Sequence, residues 1–341
     1  MFAFLKKKTT HQVQINDKAV EVNSKETILN SALRQGVAMT HSCRVGGCGT
    51  CKCQLLEGDI KALTDFSYIL NEEELNQGFI LACQAVAKSD LKIRANLSAQ
   101  TAQIQEVKGT VAAQEALTHD ITRLRLRMDS HFPYQAGQYA ELAIESLPEV
   151  FRSFSFASPA QLDGHLEFFI RMVKGGLLTE YIQQNSLEGR AVTVRGPQGD
   201  FYLRPSSAPL LFIAGGSGLA PIKAILEEAQ QQNVQRDAVL LFGARQLRDL
   251  YLMAELAELG ARWQGSFQLI PVLNEEPESS AWQGARGLVT DHIAALWQPT
   301  MHAYLCGPPP MVDAASATLI ELGMDTQHIH SDRFLTNNNK R

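Results

Sequence analysis

Four of the six cysteines cluster between positions 43 and 53, and three of them stand in the run Cys43-Arg-Val-Gly-Gly-Cys48-Gly-Thr-Cys51, with Cys83 further downstream. That C-x4-C-x2-C…C spacing is the ligand pattern of a plant-type 2Fe-2S cluster. Iron in such a cluster is held by four thiolates, and its sulfides need backbone N–H donors that only a tightly curled loop can aim. Gly46, Gly47 and Gly49 permit the curl, because glycine adopts conformations closed to other residues. Zinc is the competing reading, but only one C-x2-C pair is present and the x4 gap does not suit it. No histidine takes a ligand slot, which excludes a Rieske centre. Cys53, two residues after a ligand, reads as a small buried residue of the following strand.

A second group is Arg152-Ser153-Phe154-Ser155 in a strand, followed by Gly175-Gly176-Leu-Leu-Thr179 at the opening of a helix. An arginine fork neutralises a pyrophosphate bidentately, and a glycine-opened helix start with a threonine hydroxyl offers donors to the same phosphate. Together they suit a dinucleotide such as FAD. Taken singly, Phe154 fits core packing and Arg152 a surface salt bridge equally well. The third group is Gly215-Gly216-Ser217-Gly218-Leu219-Ala220-Pro221, which follows an apolar strand and opens a helix, the setting in which backbone approaches a pyrophosphate. The G-x-G-x-x-G pattern itself fails here. Pro221 stands in place of the third glycine, where the first helical turn tolerates proline, and Arg245 stands where a Rossmann dehydrogenase has an acid. Finally, Cys306-Gly307-Pro308 closes the last core strand at its carboxyl end, where parallel sheets bind ligands; Cys306 also fits a buried small residue.

Three kinds of framework must position these groups. Residues 11–97 alternate short apolar strands (Val13, Ile15; Val20, Val22) with a helix after Ser24, a small α+β pattern. Ser98 to Gln105 is polar and small, and reads as a linker. From Gly109 to Leu203 strands dominate (122–128, 138–144, 153–156, 165–173, 191–194) with one helix at 177–184, which indicates an antiparallel barrel. Beyond Ala208 the apolar runs 209–214, 238–242, 267–273 and 303–306 alternate with helices, which indicates a parallel sheet. The expected division is therefore 1–97, 103–205 and 206–341, a multidomain chain whose 341 residues, 45% of them apolar, suffice for three cores.

Bulk charge narrows the function. The net charge of -5 arises in the last third, and no region is basic enough for nucleic acid. The longest uncharged apolar stretch, Pro205 to Ile222, is broken by proline and glycine, so no membrane span or membrane partner is expected. The lysines at 6–8 follow rather than precede a short apolar run, the reverse of a signal peptide, and a cytoplasmic location is expected.

The order of the motifs, R-x-Y/F-S, G-x-x-S/T, G-G-x-G-x-A-P and C-G-P, resembles the ferredoxin-NADP reductase superfamily. With the N-terminal cysteine loop, the chain resembles the reductase component of bacterial ring-hydroxylating dioxygenases, of the naphthalene and benzoate type. The likeness extends to Lys108-Gly-Thr-Val, Thr118-His-Asp-Ile, Gly137-Gln-Tyr and Tyr304-Leu-Cys-Gly, and so to almost the whole chain. It implies a β-grasp ferredoxin domain, a β-barrel FAD domain and an α/β nucleotide domain. It further implies that Cys43, Cys48, Cys51 and Cys83 hold the cluster, that Arg152 binds the FAD pyrophosphate, and that Ser153 is among the cofactor-binding residues. Phe154 would then lie against the flavin, Ser155 near its N5, Arg171 and Val173 on the next strand, and Gly175, Gly176 and Thr179 in the phosphate turn. The family more often has Tyr at position 154, which bears on FAD affinity. Gly215, Gly216, Gly218, Ala220 and Pro221 would hold NADH, with Cys306, Gly307 and Pro308 beside the nicotinamide and Phe334 near the flavin. Ser155 and Cys306 are the implied catalytic pair.

The expected activity is hydride transfer from NADH to FAD, then single electrons through the cluster to a terminal oxygenase or an intermediary ferredoxin, by a monomeric chain. A reductase of a diiron monooxygenase of the phenol or toluene type carries the same modules and is the alternative. A redox sensor would not need three cofactor motifs in matched order. NADH is expected over NADPH, because Glu275, Glu276 and Glu278 follow the third strand of the last domain, although Arg245 and Arg248 follow the second.

Overall fold

The computed structural model describes residues 10–41, 46–47, 49–97, 104–161 and 163–334. The chain divides into two compact units, the first running to Gln103 and the second beginning at Ile104.

In the first unit, β1 (Thr10–Ile15), β2 (Lys18–Asn23), α1 (Ile28–Arg34), β3 (Lys52–Glu57), β4 (Ile60–Ala62), α2 (Glu72–Asn76), β5 (Phe79–Leu81), β6 (Ala85–Ala87) and β7 (Leu91–Ala95) follow in order. The main sheet runs β2-β1-β7-β3-β5, with β1 parallel to β7 and the other pairs antiparallel. Alternation sets its buried face: Val13, Ile15, Val20 and Val22 are each 0% exposed. Helix α1 starts where Thr27 Oγ1 accepts the Asn30 N–H, and it buries Ile28, Leu29 and Ala32 on that face. Glu72, Glu73 and Glu74 form the first turn of α2, which starts on a capping box between Asn71 and Glu74, with Glu72 and Glu73 exposed.

The second unit opens with β8 (Gln105–Ala116), β9 (Ile121–Met128), β10 (Tyr139–Ile144), β11 (Leu147–Ser155), β12 (His165–Arg171), α3 (Leu177–Gln184) and β13 (Ala191–Gln198). The strands form one antiparallel sheet in the order β11-β10-β13-β8-β9-β12. Its two ends meet just past β11, where Phe156 bridges Phe168 and the Ala157 N–H donates to the Glu167 carbonyl at 2.7 Å. That seam closes a barrel and removes the edges an open sheet would leave.

Then come β14 (Leu210–Gly215), α4 (Leu219–Gln231), β15 (Ala238–Ala244), α5 (Met253–Ala261), β16 (Phe267–Leu273), β17 (Ala285–Arg286), α6 (Ile293–Leu296), β18 (His302–Gly307), α7 (Pro309–Glu321) and β19 (Ile329–Arg333). They build a fully parallel sheet, β17-β16-β15-β14-β18-β19. All six residues of β14 are buried, as expected of a central strand covered on both faces. Barrel and parallel sheet share a core, in which Ile121, Ala136, Ala157, Phe169 and Phe201 pack with Leu210, Phe212, Leu219 and Ile225. Apolar residues on the barrel's outer face therefore make one packed unit of what the sequence divides at 205/206. Among the described residues no helix is long and apolar enough to cross a membrane.

Candidate functional site

Cys43 and Cys48 lie outside the described residues. Cys51 and Cys83 are both 3% exposed, and the Ala82 N–H donates to the Cys51 carbonyl at 3.2 Å, which brings the two segments side by side. Gly46 has φ +80°, and a Cβ there would lie 2.6 Å from Gln84 Cγ, so this part of the loop rests on the turn that carries Cys83. Gly49 has φ +71°. Buried sulfurs beside a left-handed glycine loop fit an all-thiolate cluster. Cys53, on β3, is 1% exposed within the apolar core of this unit.

On the barrel, β11 carries Arg152 opposite Leu142, Ser153 opposite Glu141, Phe154 opposite Ala140 and Ser155 opposite Tyr139. Arg152 and Ser153 are exposed, Phe154 is half-buried against the barrel core, and Ser155 is buried. Arg152 Nη1 donates to its neighbour's carbonyl, Phe151 O, at 2.7 Å. At the α3 start, Gly176 has no room for a Cβ, which would meet Thr179 Oγ1 at 2.6 Å and Val173 O at 2.8 Å. Thr179 Oγ1 accepts the Val173 N–H at 3.1 Å and so braces the turn. Gly175, at φ +76°, donates its N–H to Glu180 Oε1 at 2.6 Å. A carboxylate oxygen held by that N–H shows the turn presenting a donor to an anion, which fits a pyrophosphate site.

Arg171 sits elsewhere than this turn. Its Nε donates to Asp120 Oδ2 at 2.9 Å, and its Nη1 lies 2.7 Å from where a Cβ on Gly216 would be. It thus reaches from β12 onto the glycine loop. That loop is held closely from the other side as well. A Cβ on Gly218 would fall on the Cys306 backbone, 2.5 Å from its carbonyl carbon and 2.8 Å from Gly307 N. A Cβ on Gly215 would meet Met311 Sδ at 2.6 Å and Pro308 Cδ at 3.0 Å. The Gly216 carbonyl accepts from Tyr251 Oη at 2.9 Å. The glycine loop and Cys306-Gly307-Pro308, far apart in the chain, are therefore one surface at the carboxyl ends of β14 and β18, with backbone bared for a diphosphate. Ala220 and Pro221 are buried in the first turn of α4.

Barrel and parallel sheet meet chemically at Ser155, whose Oγ donates to Asp332 Oδ2 at 3.5 Å. Asp332 is 6% exposed on β19, directly across the ladder from Cys306 on β18. Burial, and then the charge of Asp332, push the Cys306 thiol well above its ordinary range, so it stays protonated. The Phe334 N–H donates to the Gly307 carbonyl at 3.0 Å, continuing the β19 ladder, and its ring is half-buried against the shared core.

Sequence reasoning missed Asp332, which lies two residues before the aromatic in His330-Ser-Asp-Arg-Phe; an acid in that segment was its only signal. It also gave no role to Asp120, which binds Arg171 and stands 3.5 Å from Arg245 Nη2, or to Tyr251.

A model of the 2Fe-2S iron-sulfur cluster binding domain matches residues 13–88, the oxidoreductase FAD-binding domain matches 108–202, and the oxidoreductase NAD-binding domain matches 212–317. The chain is 41% identical over 311 residues to the xylene/toluene monooxygenase electron transfer component of Pseudomonas putida, covering 91% of this chain and 89% of that protein. It is 34% identical over 328 residues to the ferredoxin–NAD(P)+ reductase component of the naphthalene 1,2-dioxygenase system of Pseudomonas putida, covering 94% and 97%. Among solved structures, a cytochrome P450 reductase of Amycolatopsis superposes with a TM-score of 0.80 at 31% identity, covering 95% of this chain and 99% of that one.

Proposed function

The chain belongs to the family of electron-transfer reductase components of bacterial dioxygenases and monooxygenases, and we propose that its electron path is carried by the residues gathered above. When bound, FAD takes the hydride of NADH and releases single electrons, which a cluster of potential on the order of -400 mV hands to an oxygenase component or its ferredoxin. Cys43, Cys48, Cys51 and Cys83 hold the iron. Arg152 and the 175–179 turn clamp the FAD pyrophosphate, with Thr179 bracing the turn rather than reaching outward. The glycine loop and Pro308 hold the nucleotide diphosphate.

The observation that carries this assignment is the junction of Ser155, Asp332 and Cys306, where barrel and parallel sheet contribute to one point. Ser155 Oγ holds its proton toward Asp332, and the neutral Cys306 thiol orients by bulk instead of acting as a nucleophile. No acid–base catalyst is needed beyond such orientation. Rapid-mixing measurement under anaerobic conditions tests it: Ser155→Ala should retain FAD and nucleotide affinity yet slow flavin reduction by about tenfold or more. A wild-type rate in that variant removes Ser155 from the path.

For the acceptor, the higher identity to the xylene/toluene monooxygenase component supports a monooxygenase as partner. NADH is the proposed donor. Arg245 faces Asp120 at 3.5 Å and Asp249 at 3.7 Å, while Glu276 Oε2 accepts the Leu247 N–H at 2.8 Å at the rim of the same loop. A 2′-phosphate there would meet a carboxylate and an arginine already faced by two others.

A further inference from the structure

Helix α4 runs directly out of the glycine loop, and its buried face carries a cation that the hydride path does not use. Lys223 lies one turn into the helix and is 6% exposed. Its Nζ donates to the Ala157 carbonyl at 3.1 Å and to Glu167 Oε1 at 3.4 Å, and pairs with Glu227 Oε1 at 2.7 Å. Three oxygens thus meet the three donors of the ammonium, the condition under which a buried lysine is tolerated.

Two of those oxygens belong to the barrel seam. Ala157 and Glu167 are the pair whose backbone hydrogen bond joins the end of β11 to β12, and Ala157 stands two residues beyond Ser155. Glu167 is itself fixed from the barrel side, by Arg125 Nε at 2.9 Å and Arg123 Nε at 3.8 Å. Arg123, 5% exposed, reaches back to the nucleotide half through Glu255 of α5, at 2.9 and 2.8 Å. The ion network crosses between the halves twice. Apolar contacts also join them, but they are non-directional, whereas hydrogen bonds fix an offset by distance and angle.

We propose that Lys223 is a positioning residue for hydride transfer, holding the start of α4, and with it the glycine loop, at a set offset from the seam that carries Ser155. This rests on the electron path proposed above. The expected effect follows from the sensitivity of transfer reactions to distance, since a shift on the order of 1 Å costs about a hundredfold in rate. Removing the ammonium leaves Glu167 with its two arginines, and Glu227, whose side chain is 30% exposed, with access to water.

The test compares Lys223→Met, Lys223→Arg and Glu227→Gln with the wild type, in the full chain. Lys223→Met should keep FAD, cluster and an NADH dissociation constant near wild type, yet slow the limiting rate of flavin reduction by about tenfold or more. In protein stripped of FAD, exchange of the Ala157 amide, which reports the seam, should speed up by about tenfold or more. Lys223→Arg should recover most of both, and Glu227→Gln should change little, since Lys223 keeps its two seam partners. A wild-type limiting rate in folded Lys223→Met overturns the proposal, as does a defect confined to NADH affinity or unchanged exchange at Ala157. Should Lys223→Met not fold, the double variant with Glu227→Gln carries the same expectations. A wild-type chain that NADH does not reduce would instead refute the underlying electron path.

Discussion

Replacing Gly218 by alanine would put a methyl group into the backbone of the neighbouring strand. The Cys306 carbonyl carbon at 2.5 Å and Gly307 N at 2.8 Å would have to retreat to ordinary contact, at 3.4 Å or beyond. Neither can yield easily. Residues 302–307 form β18, paired on one side with β14 and on the other with β19, so moving it would break two ladders. The start of α4 must move instead, by most of an ångström. Overpacking of this kind costs about 1–3 kcal/mol of stability, and a shift near 1 Å at reacting groups costs about a hundredfold in rate. Thermal unfolding should therefore show a modest drop, while anaerobic rapid mixing with NADH should show flavin reduction slowed by about two orders of magnitude at unchanged FAD content. Gly215→Ala is the internal control. Its nearest obstacle is Met311 Sδ, the far end of a flexible side chain, so its effect should be smaller. Flavin reduction within about threefold of wild type in Gly218→Ala, or a larger defect in Gly215→Ala, would refute the reasoning.

Cys51→Ser or Cys83→Ser should abolish cytochrome c reduction while sparing ferricyanide reduction, which flavin alone supports; Cys53→Ser should leave the visible spectrum intact, and bleaching would make Cys53 a ligand. Steady-state kinetics should favour NADH over NADPH by about tenfold or more in kcat/KM, and Asp120→Asn, which removes one of the two carboxylates facing Arg245, should narrow that ratio. Stability should fall in mild acid because of His330, whose value is lowered from 6.5 to about 3, first by burial and then by the charges of Arg204, His302, His328 and Arg236. The unfolded chain then takes up the proton more readily, so the contribution is complete above the ordinary value of 6.5 and is lost as pH falls toward about 3. Its upper limit is about 5 kcal/mol. Denaturant titrations from pH 7 to pH 4 should show a slope that His330→Phe flattens, and an equal slope in the variant would assign it to other groups.

Element types were legible where periodicity is strong. The helix expected at 177–184 and the strand at 267–273 are Leu177–Gln184 and Phe267–Leu273 in the structure. Boundaries moved where pairing, not pattern, decides them. The linker expected to end at Gln105 gives way there to β8, because β13 pairs with it from Gln105 and β9 joins from Gly109; positions 98–103 lie outside the described residues. The strand expected at 153–156 begins at Leu147, since β10 pairs with it there through Ile144 and again from Arg152 to Ser155, across a break in register. Strand β19, Ile329–Arg333, has no apolar alternation at all and is defined by its parallel ladder with β18.

By itself the sequence determined the chemistry of each cofactor module, because ligand spacing and glycine turns are local: Cys43, Cys48 and Cys51 fall within nine consecutive residues, and Gly215 to Pro221 within seven. Only the tertiary structure decided which groups stand together where the barrel and the parallel sheet of the second unit meet. Ser155 and Asp332 are 177 residues apart in the chain, and Lys223 and Ala157 are 66 apart. Neither pair leaves a periodic trace, since each exists only once two independently patterned sheets have packed and brought buried polar groups to partners that satisfy them.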